Sequence, residues 1–92
     1  MNDARIAAAF GHTMHEVVRK SEEAGRQLLP QTTIDHFRYM NTRMVAGLQT
    51  DGDFDVRKLA TWLGYLQGAV GPHGAGVLTM EELKEINRRW ST

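Results

Sequence analysis

Apolar residues recur along this chain at helical spacing, in runs separated by clusters of Gly, Pro and Asp. Between Asp3 and Ala24, the residues Ile6, Phe10, Met14 and Val17 stand four, four and three positions apart, which places them on one face of a first helix. Asn2 or Asp3 can cap its start, because a short side-chain oxygen accepts a first-turn N–H; Gly25 can stop it, or Gln27-Leu28 can extend it until Pro30 ends it. Ala7, Ala8 and Ala9 favour the helix, whereas Gly11 weakens its middle by about 1 kcal/mol relative to Ala. A second helix is predicted to open at Thr32, with Asp35 three residues on as a shortened capping box. Its stripe is Ile34, Phe37, Met44, Val45 and Leu48, with Met40 at the edge and Asn41 in the middle. The stop falls in Gln49-Thr50-Asp51-Gly52, where Asp-Gly is a turn signal.

The third segment, about Phe54 to Gly68, has the clearest pattern. Val56, Leu59, Leu63, Leu66 and Val70 follow the alternating three-four spacing of helices packed at a shallow angle. Beside them runs a second apolar strip, Trp62, Tyr65 and Ala69. A helix apolar on two sides is either central in its bundle or shared with another subunit. The thin core of a 92-residue chain cannot readily cover both strips, so self-association through Trp62, Tyr65 and Ala69 is expected. After a loop, Gly71–Gly76, the run Thr79-Met80-Glu81-Glu82 supplies a full capping box, with Leu78 and Leu83 placed to staple it. The fourth helix is predicted to turn Met80, Leu83 and Trp90 inward, with Ile86 at the flank. Glu81, Glu82 and Glu85 come early and Arg88 and Arg89 late, which suits the helix dipole, and Glu85 and Arg89 form an i,i+4 pair. The expected architecture is all-α: one domain over residues 1–92, a bundle of about four helices that self-associates.

Composition narrows the function. Eleven Lys+Arg balance eleven Asp+Glu, evenly between the halves, so the surplus of cations needed to displace phosphate counterions is missing. Nucleic-acid binding is therefore disfavoured as a general activity, and so is mimicry of DNA by an acidic surface. Cysteine is absent, which removes disulfides, thiol catalysis and thiolate metal sites together. No apolar run is long enough for a membrane span or a secretory signal, so the expected location is the cytoplasm.

The candidate chemistry is sparse. His12, His15 and Glu16 lie within one helical turn, with His36 on the next helix, but neither the Glu-x-x-His pairs of a di-metal bundle nor the His-Glu-x-x-His of a zinc protease is present. No metal and no other cofactor are expected; the bland reading is polar residues flanking a core stripe. Asp51, Asp53 and Asp55 alternate like the start of a calcium loop, yet the sixth and twelfth positions are Val56 and Trp62 instead of Gly and Glu. They read as a turn and the cap of the third helix. The loop Gly71–Gly76 with His73 precedes a helix N-terminus, where N–H groups can hold an anion, but the Lys of a phosphate loop is missing. Arg38, Tyr39 and Arg43 form a basic-aromatic patch able to pair with phosphate and stack on a base, against the plain alternative of a solvated helix face. Asn41 and Asn87 fall within apolar stripes, where a polar side chain needs partners and can fix register. Only two serines occur, Ser21 and Ser91, and no paired carboxylates mark a cleft, so no catalytic constellation is assigned and an enzyme is not expected.

The stretches Trp62-Leu63-Gly64-Tyr65-Leu66-Gln67-Gly68 and Leu78-Thr79-Met80-Glu81-Glu82-Leu83-Lys84-Glu85-Ile86-Asn87-Arg88 resemble small accessory proteins of tailed bacteriophages. The likeness covers about the last forty residues, carries no catalytic motif and does not extend to the helices before Gly47. It implies a non-enzymatic phage protein, acting in the host cytoplasm, that antagonises a host or anti-phage defence component by binding. Two mechanisms fit. A protein-partner inhibitor would use the aromatic anchors Trp62 and Tyr65. A sponge for a signalling nucleotide would use Arg38, Tyr39 and Arg43 with His73. The alternatives from other classes are a DNA-binding regulator and a structural homo-oligomeric phage protein.

Overall fold

The computed structural model describes residues 2–49 and 55–91, with only the backbone of Gln49. Four helices follow in order: α1 (Asp3–Ala24), α2 (Gln31–Gln49), α3 (Val56–Val70) and α4 (Met80–Ser91). No strand occurs among the described residues, and the fold is an all-α bundle.

The central element is α1, which packs against each of the other three helices. Its buried residues are Ile6, Ala7, Ala9, Phe10, Thr13 and Val17. At 100° per residue these span nearly half the helix circumference, wider than the single stripe read from the large side chains. The alanines therefore do more than favour the helix, because their small side chains let neighbouring helices come close on both sides of Phe10. Asn2 caps α1 by accepting a hydrogen bond from the Arg5 backbone N–H at 2.9 Å. Gly25 ends it in the left-handed conformation at φ 67°, and the backbone N–H groups of Gly25 and Arg26 donate to the carbonyls of Glu22 and Ser21.

The second helix begins one residue before the predicted Thr32. The Pro30 carbonyl accepts the first helical N–H groups, those of Thr33 and Ile34, and Asp35 accepts from the Gln31 side chain instead of closing a box with Thr32. Proline just ahead of a helix supplies the fixed φ that helps start it. Its core stripe is Phe37, Met40 and Met44, all buried. Met40 thus belongs to the core and not to its edge, while Val45 and Leu48 are exposed. Val45 sits one position past Met44 and is turned about 100° from it, which explains its exposure. The Thr50–Gly52 stop lies outside the described residues, as do Asp51, Asp53 and Phe54.

The third helix starts at Val56 and runs two residues past Gly68, to Val70. Asp55 caps it, its carboxylate accepting from the Lys58 N–H at 2.8 Å. Leu59, Leu63, Leu66 and Val70 are buried as predicted, whereas Val56 is exposed in the first turn. The capping box of α4 closes in both directions: the Thr79 N–H donates to Glu82 at 2.9 Å, and the Glu82 N–H donates to Thr79 Oγ1 at 3.1 Å. Leu78 and Leu83 are buried beside it. Met80, predicted inward, is 43% exposed, and Ile86, placed at the flank, is buried. The inward face of α4 is thus Leu83, Ile86 and the half-buried Trp90, whereas Met80, at the first helical position, borders the hollow lined by Gly64, Gln67 and Gly68. Glu85 is gripped by Arg88, three residues on, at 2.8 Å, and the guanidinium of Arg89 lies over the Trp90 ring.

Cross-links fix the direction of α4. Arg5 donates to the Trp90 carbonyl, the Trp90 indole donates to His12 Nδ1 at 3.0 Å, and Lys20 pairs with Glu82 at 2.9 Å, so α4 runs antiparallel to α1. The Lys20 hydrogen bond and the Thr79 N–H together hold the Glu82 carboxyl below the ordinary glutamate range.

Candidate functional site

A mostly apolar cavity lies between the end of α1, the start of α2 and α3. Its volume is about 350 Å³, at the lower end of the range for small-ligand pockets. The floor consists of Val17, Leu29, Phe37, Leu66 and Val70, all buried, with Met14 and Ile34 half-buried on the walls. Val18 stands at the mouth, 47% exposed. Around the opening lie Ser21, Glu22, Arg26, Gln27 and Arg38.

Local bonding explains why the cleft stays open. Ser21 Oγ accepts the Leu28 N–H at 3.3 Å, and the Gln27 side-chain amide donates to the Leu29 carbonyl at 2.9 Å. These bonds and the buried Leu29 side chain pin the connector between Gly25 and Pro30, so α2 is set off from the end of α1 instead of folding tightly back on it. Further along, α1 and α2 close up: Phe10 meets Phe37 edge-to-face with centroids 6.5 Å apart, and Asn41 approaches Gly11. The helix α2 packs chiefly on α1 and touches α3 lightly.

The residues expected from sequence do not converge here. Arg38 lies at the cleft, but Tyr39 and Arg43 follow on the outer side of α2, where both are exposed. His73 belongs to a separate, shallower hollow with Gly64, Gly68, Pro72 and Lys84. The four residues of the nucleotide reading therefore occupy three places. The second strip of α3 also divides. Trp62 and Ala69 are half-buried and pack against the core, whereas Tyr65 is 58% exposed. The Tyr65 ring rests against Phe37 at 5.8 Å and His36 at 6.2 Å, bridging α3 to α2. Tyr65 and Ala69 line a shallow depression with Pro30, Thr33, His36 and Ala75.

His12, read as a flank of the core stripe, accepts the Trp90 indole N–H through Nδ1 and faces Glu16 through Nε2 at 3.8 Å. No group of three metal-ligating side chains occurs among the described residues. Asn87 forms a reciprocal amide pair with Gln67, each side chain donating to the other at 2.9 Å, and Gln67 also donates to Thr13 at 3.2 Å. The polar positions of α1, α3 and α4 thus satisfy one another inside the bundle.

Sequence reasoning missed the cleft because its walls come from the edges of three separate stripes. One signal was present in Leu28-Leu29-Pro30, an apolar pair in a connector that would ordinarily be polar. No family model matches the chain, and no curated protein or solved structure is similar to it.

Proposed function

We propose that this chain is a non-enzymatic binding domain that captures an apolar anchor in the cleft between α1, α2 and α3. The observation that carries the reading is a cavity of about 350 Å³ with a mostly apolar lining, bordered by polar groups and beside a connector pinned by hydrogen bonds. Concave apolar sites with a few polar groups at the edge are the usual form of a binding site. Catalysis has no comparable support. In the setting implied by the C-terminal resemblance, the domain acts as a phage accessory protein and the bound partner belongs to the host or its defences. The dispersal of Arg38, Tyr39, Arg43 and His73 makes nucleotide sequestration the weaker mechanism.

The test is a two-dimensional NMR titration with 1-octanol, a neutral apolar probe. Saturable shifts are expected at the amides of Val18, Gly25, Leu29, Ile34 and Val70, and a Val18→Arg variant should lose them while keeping its thermal midpoint. Shifts spread over the whole surface, or no saturable shift, refute the cleft as a binding site.

A further inference from the structure

The charges around the cleft are asymmetric. Two guanidiniums, Arg26 and Arg38, and one carboxylate, Glu22, lie at its opening. Ser21 and Gln27 each make one hydrogen bond to the connector and carry no charge, so the charge at the opening comes from the other three groups. The end of α1 would itself favour a cation, but its carbonyls at Ser21 and Glu22 accept the N–H groups of Arg26 and Gly25. Neither Arg26 nor Arg38 forms an ion pair with any other described residue. Of the exposed arginines elsewhere, Arg19 is tied to Glu16 and Glu23 and Arg88 to Glu85, while Arg57 likewise has no ion pair with a described residue but adjoins no apolar cleft. Two uncommitted guanidiniums over an apolar floor complement a ligand with an apolar body and an anionic end.

Resting on the cleft as the binding site, we infer that its ligand is a small anionic amphiphile of the medium-chain carboxylate class, with the chain between Met14, Val18 and Ile34 and the head group at Arg38 and Arg26. A carboxylate suits this position because a guanidinium can hold both its oxygens at once. The head group remains near solvent, so it keeps much of its hydration and the chain supplies most of the affinity. Charge then decides among ligands of equal chain length.

Octanoate, 1-octanol and octylammonium share one chain and differ in charge. Titrated against the protein at low salt, octanoate should bind about five-fold tighter than octanol, the factor given by about 1 kcal/mol from a partly exposed ion pair. Octylammonium should bind weakest. Raising the salt to about 0.5 M should remove most of the difference, because these charges are screened. The double variant Arg26→Gln/Arg38→Gln should abolish the preference, so that octanoate binds it no tighter than octanol does, while Glu22→Gln should strengthen octanoate binding. Equal affinities for octanoate and octanol, tighter binding of octylammonium, or a preference that survives in the double variant overturns the inference while leaving the cleft intact. Failure of all three probes to bind refutes the cleft itself.

Discussion

The amide pair between Gln67 and Asn87 is the sharpest test of how the bundle is held together. Replacing Asn87 with Ala removes two side-chain hydrogen bonds of 2.9 Å and leaves Gln67 with its bond to Thr13. Each such bond is worth about 1 kcal/mol net, and a deeply buried orphan would cost more. Both residues are half-buried, so water can reach part of what is exposed, and the loss comes to about 1.5 kcal/mol. Ala is also a better helix former than Asn by about 0.6 kcal/mol, which reduces the net loss to about 1 kcal/mol. For a domain of this size that is a fall in Tm of about 4–8 °C. Gln67→Ala should cost more, because Thr13 Oγ1, fully buried, then loses its donor. The decisive number is the coupling. Urea denaturation of wild type, both single variants and the double variant should show the double costing about 1–1.5 kcal/mol less than the sum, with helix propensity cancelling from the cycle. Additivity within about 0.3 kcal/mol would refute the claim that the two amides act as one unit.

Three further outcomes follow from the same geometry. Trp62→Ser should destabilise the fold by on the order of 2–3 kcal/mol, because the indole packs on the core, whereas Tyr65→Ser should cost less than about 1 kcal/mol; equal thermal midpoints for the two variants would contradict this division of the strip. Gly11→Ala should stabilise by about 0.5–1 kcal/mol, since the added methyl group meets only Asn41 Oδ1 at an ordinary 3.8 Å, while Gly25→Ala should destabilise by about 1 kcal/mol because φ there is 67°; effects of the same sign at both sites would refute it. Glu82 releases its proton more readily in the folded protein than in the unfolded chain, so the stability it confers is complete above the ordinary glutamate pKa and is lost as pH falls through its lowered value. Between about pH 6 and about pH 3 the urea midpoint of wild type should therefore drop further than that of Lys20→Met, and parallel drops would remove Lys20 as the main cause.

Helix boundaries were readable where a side chain performs a local task. Asn2, Asp55 and Thr79 with Glu82 cap helices by bonds that span three residues, and such bonds depend on little beyond the chain itself. The start of α2 was misplaced because Thr32 and Asp35 mimic that signal while Pro30 does the work. Inward and outward faces were less legible at helix ends. Val45, Leu48, Val56 and Met80 all extend apolar stripes, yet each is exposed, on the side or near the end of its helix. Periodicity reports which side of a helix is apolar and not how far along it a neighbour reaches. The centre of the bundle was not legible either. The two strips of α3 pointed to a subunit contact and left the centre unassigned; α1 holds it, because three small residues let it bury a wider arc. Ala positions carry almost no hydrophobic signal of their own. The cleft was invisible for a related reason: it is a gap between elements, set by the connector.

That origin separates binding from folding. The floor residues Leu66 and Val70 are already buried within the bundle by the packing of α1 on α3, so the domain does not depend on an occupant to assemble. Val18, Glu22, Arg26 and Arg38 stand at the mouth, exposed, and none of their side chains contributes to the buried core. Changes among these four can therefore alter what the cleft accepts at little cost in stability, since surface substitutions usually fall within about 0.5 kcal/mol. Changes at Phe37, Leu66 or Val70 cannot, because truncating a buried side chain costs about 2–5 kcal/mol, a large fraction of what a domain of this size has. Between the two groups stand Ser21 and Gln27, whose side chains bond the backbone of Leu28 and Leu29 and so hold the connector at the opening. If the cleft binds as proposed, its selectivity resides in a few mouth residues laid over a scaffold centred on α1.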